Sequence, residues 1–325
     1  QRDRPLARLA RQPGTGMTTM SPPSPQAARP ISARSHRDLL AASTSRTITR
    51  RRWASTWMIA LTYLCAFIVT VPLIAILYYL IKLGASSVNW QFFTMSTSPP
   101  GSPGGMANAI VGSGMLVLIA CVVGLPVGIG AGLYLAEQRG AKLAMVVRFL
   151  SDVLNGLPSI VLGIFAWQLL VKPFKHFSAL SGGIALAAMM IPLVTRTTEE
   201  MIRLVPVSLR EAALALGYAR WRTTLSVVLR TALPGIVTGA LVAIARIAGE
   251  TAPLIFTAFG NNFWSLSPFK PIAALPTSIY NYAIAPYDDW NAKAWAAALV
   301  LLGLVLVISI GAKYATRSRF GLGGD

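Results

Sequence analysis

Residues 206–235 read PVSLREAALALGYARWRTTLSVVLRTALPG. Local chemistry divides this stretch into helix, turn and helix. Ser208 and Glu211 have the S-x-x-E spacing of a capping box, with Pro206 just upstream. Ala212, Ala213, Leu214, Ala215 and Leu216 behind them are strong helix formers. Gly217 then supplies the residue that closes a helix in the left-handed conformation. A basic stretch, Arg220, Trp221 and Arg222, leads to Arg230 and to Pro234 at the head of a long apolar run. A short capped helix in this position has two readings. It is either an amphipathic connector lying on a membrane surface, or a rigid, weakly polar face that inserts into a groove on a soluble partner.

Apolar runs flank this loop on both sides. A crossing helix needs roughly 20 mostly apolar residues, and six stretches qualify: about 56–81, 108–135, 154–171, 181–196, 232–257 and 294–315. Pro72, Gly124, Pro126, Pro158, Pro192 and Pro253 fall inside them. Such residues break soluble helices but are tolerated in membranes, where neighbours satisfy the freed backbone groups. The chain of 325 residues is 54% hydrophobic and 12% charged, against roughly 25% charged in soluble domains. The expectation is an all-α polytopic membrane protein with about six transmembrane helices. The net charge of +18 raises nucleic acid as a partner, but the Lys and Arg residues lie between apolar runs and in one tail rather than on a soluble face. Cys65 and Cys121 sit inside apolar runs without ligand spacing and read as packing residues.

Basic residues set the expected orientation. They crowd into the N-terminal tail, 136–153, 197–231 and 316–325, whereas the alternate segments carry Lys82, Lys172, Lys175, Lys270 and Lys293. Both termini are therefore expected in the cytoplasm of a cell whose plasma membrane holds the protein. The expected organisation is a disordered basic cytoplasmic tail over 1–53, a transmembrane domain over 54–318 with its cytoplasmic loop at 197–231, and a C-terminal tail over 319–325. The loops on the other side are aromatic, with Trp90, Phe92 and Phe93 in the first and Phe263, Trp264, Tyr280, Tyr282, Tyr287 and Trp290 in the last. They read either as anchors at the headgroup level or as a docking surface for a soluble partner.

Ionisable residues within a span are costly, roughly 2.5–3.5 kcal/mol for Arg at the centre on insertion scales, and are functional by default. Arg246 and Glu250 lie inside the fifth run, four residues apart, which puts both on one face of a continuous helix. With Thr251 they are the candidate substrate pathway. A guanidinium is the donor array best matched to phosphate oxygens; the other reading is a pair that only neutralises itself. Arg148 and Asp152 have the same spacing near the end of the third run and read as a local ion pair. His36 and His176 have no partner spacing for a metal or for catalysis. The chain lacks a G-x-x-x-x-G-K-[ST] phosphate loop, so any ATP hydrolysis that drives it belongs on another polypeptide. No cofactor is expected, and the chain is not expected to be an enzyme.

The run Glu211-Ala212-Ala213-x-x-x-Gly217 resembles the EAA loop of ABC importer permeases. The resemblance implies a type I importer fold in which Ser208, Glu211, Ala212, Ala213 and Gly217 belong to a coupling helix docked on the ATPase. Val227 and Arg230 stand where the family pattern has Ile and Pro. Further segments resemble the phosphate-specific, PstA-type branch: Gly104-Gly105-Met106 with Asn108-Ala109-Ile110, Arg148 to Val161, Ala248-Gly249-Glu250-Thr251-Ala252-Pro253, and Pro271 to Pro276. The resemblance covers about 55–318. It implies import of inorganic phosphate with a second permease of PstC type, two copies of a PstB-type ATPase and an extracytoplasmic PstS-type binding protein. The rivals are a permease for sulfate or molybdate and an ion-gradient-driven secondary transporter.

Overall fold

The structure, a computed structural model, describes residues 33–320 apart from 139. The expected tail therefore lies outside the described residues up to 32, as does the C-terminal stretch 321–325. From Ala33 onward the chain is helical, and α1 runs Ala33–Ala85. It thus starts 20 residues or so before the expected boundary at 54, because Arg, Leu and Ala between 34 and 42 are good helix formers.

The chain divides into two compact units, at Thr70 and Val71 within α1. In the first, every described side chain from Arg50 to Thr70 is exposed, among them Trp57, Tyr63 and Phe67. An apolar helix with no face covered by its own unit is built to meet lipid or another subunit.

The second unit contains the remaining helices. After α1 come α2 (Trp90–Thr94), α3 (Ala107–Glu137), α4 (Lys142–Gly156), α5 (Ser159–Ala166) and α6 (Lys172–Phe174). A π-helical turn at Trp167–Val171 joins α5 to α6. Then follow α7 (Ala179–Arg203), α8 (Val207–Ala215), α9 (Arg220–Thr223), α10 (Leu229–Ala248), α11 (Ala252–Thr257), α12 (Leu275–Ala283) and α13 (Asp288–Phe320). A second π-helical turn, Thr224–Val228, fuses α9 to α10. Among the described residues, five helices are long and apolar enough to cross a membrane, and a sixth crossing exists if the bent pair Lys142–Gly156 and Ser159–Phe174 counts as one.

That bend corrects the expected straight span at 154–171. The two halves meet at 108°. Leu157 is extended (φ −74°, ψ 137°), as is Pro158 (φ −58°, ψ 137°). Proline brings no N–H for the helix and pushes its predecessor out of the α region. The fifth span is also redrawn. It starts at Arg220 rather than 232 and stops at Ala248 rather than 257.

Parallel packing of α3 on α7 forms the centre, and small residues permit it. A β-carbon on Gly124 would touch Met190, one on Gly128 would lie 2.8 Å from Val194 Cβ, and one on Gly132 would lie 2.6 Å from the Thr195 carbonyl oxygen. Without a hydrophobic force between helices in lipid, such close approach is the main source of attraction. On the other side of α7, α10 runs antiparallel, with Gly235 against Met201 and Gly239 against Thr197. Leu116, Ala120, Leu186, Met190, Val194, Ala243, Ile247 and Leu254 form the buried centre.

At the Asn108 end of α3 the loops are pinned to the bundle. Asn108 is 3% exposed. Its amide donates to Thr97 Oγ1 and to the Asn261 carbonyl, both at 3.1 Å, and its Oδ1 accepts the Thr97 N–H. The Leu275 N–H donates to Ser113 Oγ at 2.7 Å. A β-carbon on Gly112 would lie 2.0 Å from the Ala273 carbonyl oxygen. The segment 271–276 thus runs across the first turns of α3.

Candidate functional site

Two places carry the residues singled out by the sequence: the α8 end of the bundle, and the break between α10 and α11. In α8 the expected capping box does not form. Pro206 takes the N-cap position (φ −56°, ψ 138°), without a side-chain capping bond. The Leu209 N–H donates to the Pro206 carbonyl at 3.2 Å, so the helix begins before Ser208 can cap it. Ser208 lies in the first turn, and Ser208, Glu211 and Ala212 are exposed. The other end is as expected. Gly217 has φ +83°; its N–H donates to Leu214 and that of Tyr218 to Ala213, at 2.9 and 3.2 Å. This is the paired bonding of a Schellman closure.

One face of α8 turns to the bundle. Ala213 is buried, and Arg210 Nη1 donates to Glu137 Oε1 at 2.5 Å, linking α8 to the last residue of α3. The opposite face, with Ser208, Glu211, Ala212 and Ala215, is exposed. It is a rigid surface with little charge, suited to enter a groove.

Beside α8, α4 and α7 are joined by ion pairs. Arg148 Nη2 reaches Glu199 Oε1 at 2.7 Å, and Arg203 donates to the same carboxylate oxygen. The Glu199 side chain is only 4% exposed. Arg196 bridges Asp152 at 2.9 Å and Glu200 at 3.1 Å. The expected Arg148–Asp152 pair is therefore replaced. Each residue finds its partner on α7, because α4 lies against that helix. Sequence reasoning passed over Glu137, Arg196, Glu199, Glu200, Arg203 and Arg210. The i,i+4 pairs Glu199–Arg203 and Arg196–Glu200 were a usable signal; the contacts across helices were not.

Arg246 lies in the last turn of α10 and is exposed, whereas Glu250 and Thr251 are half-buried in the break. The helix does not carry all three on one face. Gly249 closes α10 with its N–H directed to the Arg246 and Ile247 carbonyls, and the Glu250 N–H donates to Ile247. α11 then starts at Ala252 with Pro253 in its first turn. Among the described residues, Arg246 and Glu250 form no ion pair with each other or with any other group. The break abuts the other broken span. A β-carbon on Gly163 of α5 would lie 2.7 Å from Pro253 Cα. Discontinuous helices whose ends meet at a gap recur at ion and substrate sites of secondary transporters.

At the Asn108 end, the aromatic residues separate into two groups. Phe92 is 1% exposed, and Tyr282 stacks on Trp290 with ring centroids 4.3 Å apart. Trp90 and Phe263 are open, at 80% and 79% exposed. Burial pushes the Tyr282 phenol up from its ordinary pKa.

Residues 128–320 match the family described as binding-protein-dependent transport system inner membrane component. The chain is 50% identical over 236 residues to the phosphate transport system permease protein PstA of Xylella fastidiosa, covering 72% of this chain and 82% of that one. It is 49% identical over 243 residues to the protein of the same description in Yersinia pestis, covering 74% and 82%. A probable PstA of Methanocaldococcus jannaschii is 35% identical over 252 residues, 77% of this chain and 89% of that one. Among solved structures, a chain of a bacterial alginate ABC transporter superposes with a TM-score of 0.61 at 15% identity, covering 82% of this chain and 96% of that one. A chain of the MetNI methionine ABC transporter gives 0.53 at 21% identity, covering 65% and 92%. At those identities the structures speak for the fold alone.

Proposed function

Since the chain belongs to the binding-protein-dependent transport system inner membrane components, we propose that it forms part of the path by which inorganic phosphate enters the cell. It is a multi-pass inner-membrane permease subunit of an ABC importer, of PstA type, and not an enzyme. An ATPase and a binding protein work with it. In the finer reading these are two PstB-type ATPases and a PstS-type binding protein, with a PstC-type permease completing the pathway. Both termini are cytoplasmic in this reading, which the distribution of Lys and Arg supports. That orientation places α8 in the cytoplasm and the Asn108 end outside.

The relatives' names supply the substrate, and Arg246 supplies its contact. The side chain ends an apolar helix beside a break and has no partner among the described residues. A buried pair with Glu250 would leave it neutralised; unpaired, its guanidinium offers a forked donor set to a tetrahedral oxyanion. Glu250 and Thr251, in the gap, complete the pathway residues. Glu250 sits where repulsion would limit how long an anion stays.

Outside the membrane the binding protein delivers phosphate. Inside, ATP-driven closure of the ATPases moves α8 through the exposed face of Ser208, Glu211, Ala212 and Ala215, with Gly217 holding the helix end. Uptake of labelled phosphate by the reconstituted complex, with sulfate and molybdate as competitors, tests the reading. ATP-dependent uptake resisting both competitors is expected. Equal competition by sulfate or molybdate overturns the substrate, and uptake that follows an ion gradient without ATP overturns the mechanism.

A further inference from the structure

We propose that the Glu137–Arg210 ion pair is the strut by which α8 moves α3, and that α3 carries this movement to the loops at the Asn108 end. The inference rests on the reading of α8 as the ATPase-docking helix.

Covalently, α8 is joined to α7 through 204–206 and to α9 through 216–219. Neither link is joined covalently to α3, and the approach of the first, Val205 in one buried cluster with Ala136, is apolar. Among the described residues, α8 makes one ion pair, and its partner is the terminal residue of α3. Arg210 and Glu137 are 24% and 29% exposed at their side chains. The pair is thus partly withdrawn from water, where screening is weaker than at an open surface. The other inward residue, Ala213, has only a methyl group to offer. A push or pull on α8 therefore reaches α3 at one charged contact.

α3 is suited to transmit it. Its 31 residues form a single helix despite Pro126, about 45 Å long at 1.5 Å per residue. Gly124, Gly128 and Gly132 seat it against α7 along one line, so that sliding is guided while sideways motion meets side chains. At the far end, Asn108 holds Thr97 and Asn261, Ser113 holds Leu275, and Gly112 touches Ala273. Packed interfaces of this kind have discrete arrangements rather than continuous ones. A shift of α3 would exchange the hydrogen bonds that pin 97 and 261, loosening the outer loops when the cytoplasmic lever moves.

The test uses the complete transporter reconstituted in proteoliposomes, with Glu137→Gln, Glu137→Arg, Arg210→Glu and the reversed pair Glu137→Arg/Arg210→Glu. The readouts are phosphate imported per ATP hydrolysed and retention of the ATPase on purification. In the single variants the ATPase should remain bound and active, while transport per ATP falls at least about fivefold, the lower end of usual coupling between sites. The reversed pair should recover most of it. Unchanged transport per ATP in the single variants overturns the strut, as does a reversed pair no better than either single change. Loss of the ATPase from the single variants also overturns it, by assigning the pair to docking. Failure of the underlying reading has another signature: Ala215→Cys in an otherwise unaltered chain would give no cross-link to the ATPase.

Discussion

Arg148 and Glu199 meet at 2.7 Å across the gap between α4 and α7, on a carboxylate that is 4% exposed at its side chain and also takes Arg203. The apolar hold of α4 on the bundle is small: of its side chains only Ala144 is buried and Leu154 packs on the core, while Leu143, Met145, Phe149 and Leu150 are exposed. The ion pairs, together with Leu154 against the buried core, hold this helix on α7.

Replacement of Glu199 by Gln keeps the shape but leaves two guanidinium groups facing a neutral amide. Because both arginines are partly exposed, the expected loss is about 1–3 kcal/mol, below the range for fully buried pairs. A lower thermal midpoint of the detergent-solubilised complex should show it. An unchanged midpoint would mean that α4 is held by other contacts.

At Gly217 the constraint is conformational. Its φ is +83° and a β-carbon would meet nothing within 4 Å. Gly217→Val should thus cost roughly 1–2 kcal/mol from backbone strain alone and disturb the end of α8, while Gly217→Asn, which tolerates that conformation, should be milder. Retention of the ATPase and transport-linked hydrolysis are the measurements. Equal behaviour of Val and Asn would contradict the account.

Gly112 and Gly114 form a contrast two residues apart. A β-carbon on the first would lie 2.0 Å from the Ala273 carbonyl oxygen, whereas the second has open space. Gly112→Ala should destabilise the complex by about 1–3 kcal/mol as an overpacked contact and impair uptake. Gly114→Ala should leave stability near that of the unaltered protein. Thermal denaturation of the two variants side by side decides.

For Arg246 the expected result is functional. Arg246→Gln should abolish phosphate uptake, with the assembled complex still recovered in normal amount. Normal uptake at normal expression would remove Arg246 from the pathway.

Much of the fold was legible because crossing a membrane imposes a long apolar run on each helix. Three local spacings were overridden by neighbouring structure. Ser208 and Glu211 had capping spacing, but Pro206 started the helix first. Arg246 and Glu250 had helical spacing, but Gly249 ended the helix between them. Arg148 and Asp152 had ion-pair spacing, but α7 supplied better-placed partners.

From the residues alone came the all-helical class, the number of apolar crossings to within the bent one, the short helix before Gly217 and the absence of an ATP-binding loop. These depend on hydropathy, on glycine's tolerance of positive φ and on contiguous motifs, all of which act within one stretch of chain. The tertiary structure decided the bend at Pro158, the carboxylate shared by Arg148 and Arg203, the tie from Arg210 to Glu137, and the absence of an ion-pair partner for Arg246 among the described residues. Each of these depends on which helix faces which. That depends on close packing of small residues between α3, α7 and α10, a property of surfaces in space rather than of spacing along the chain.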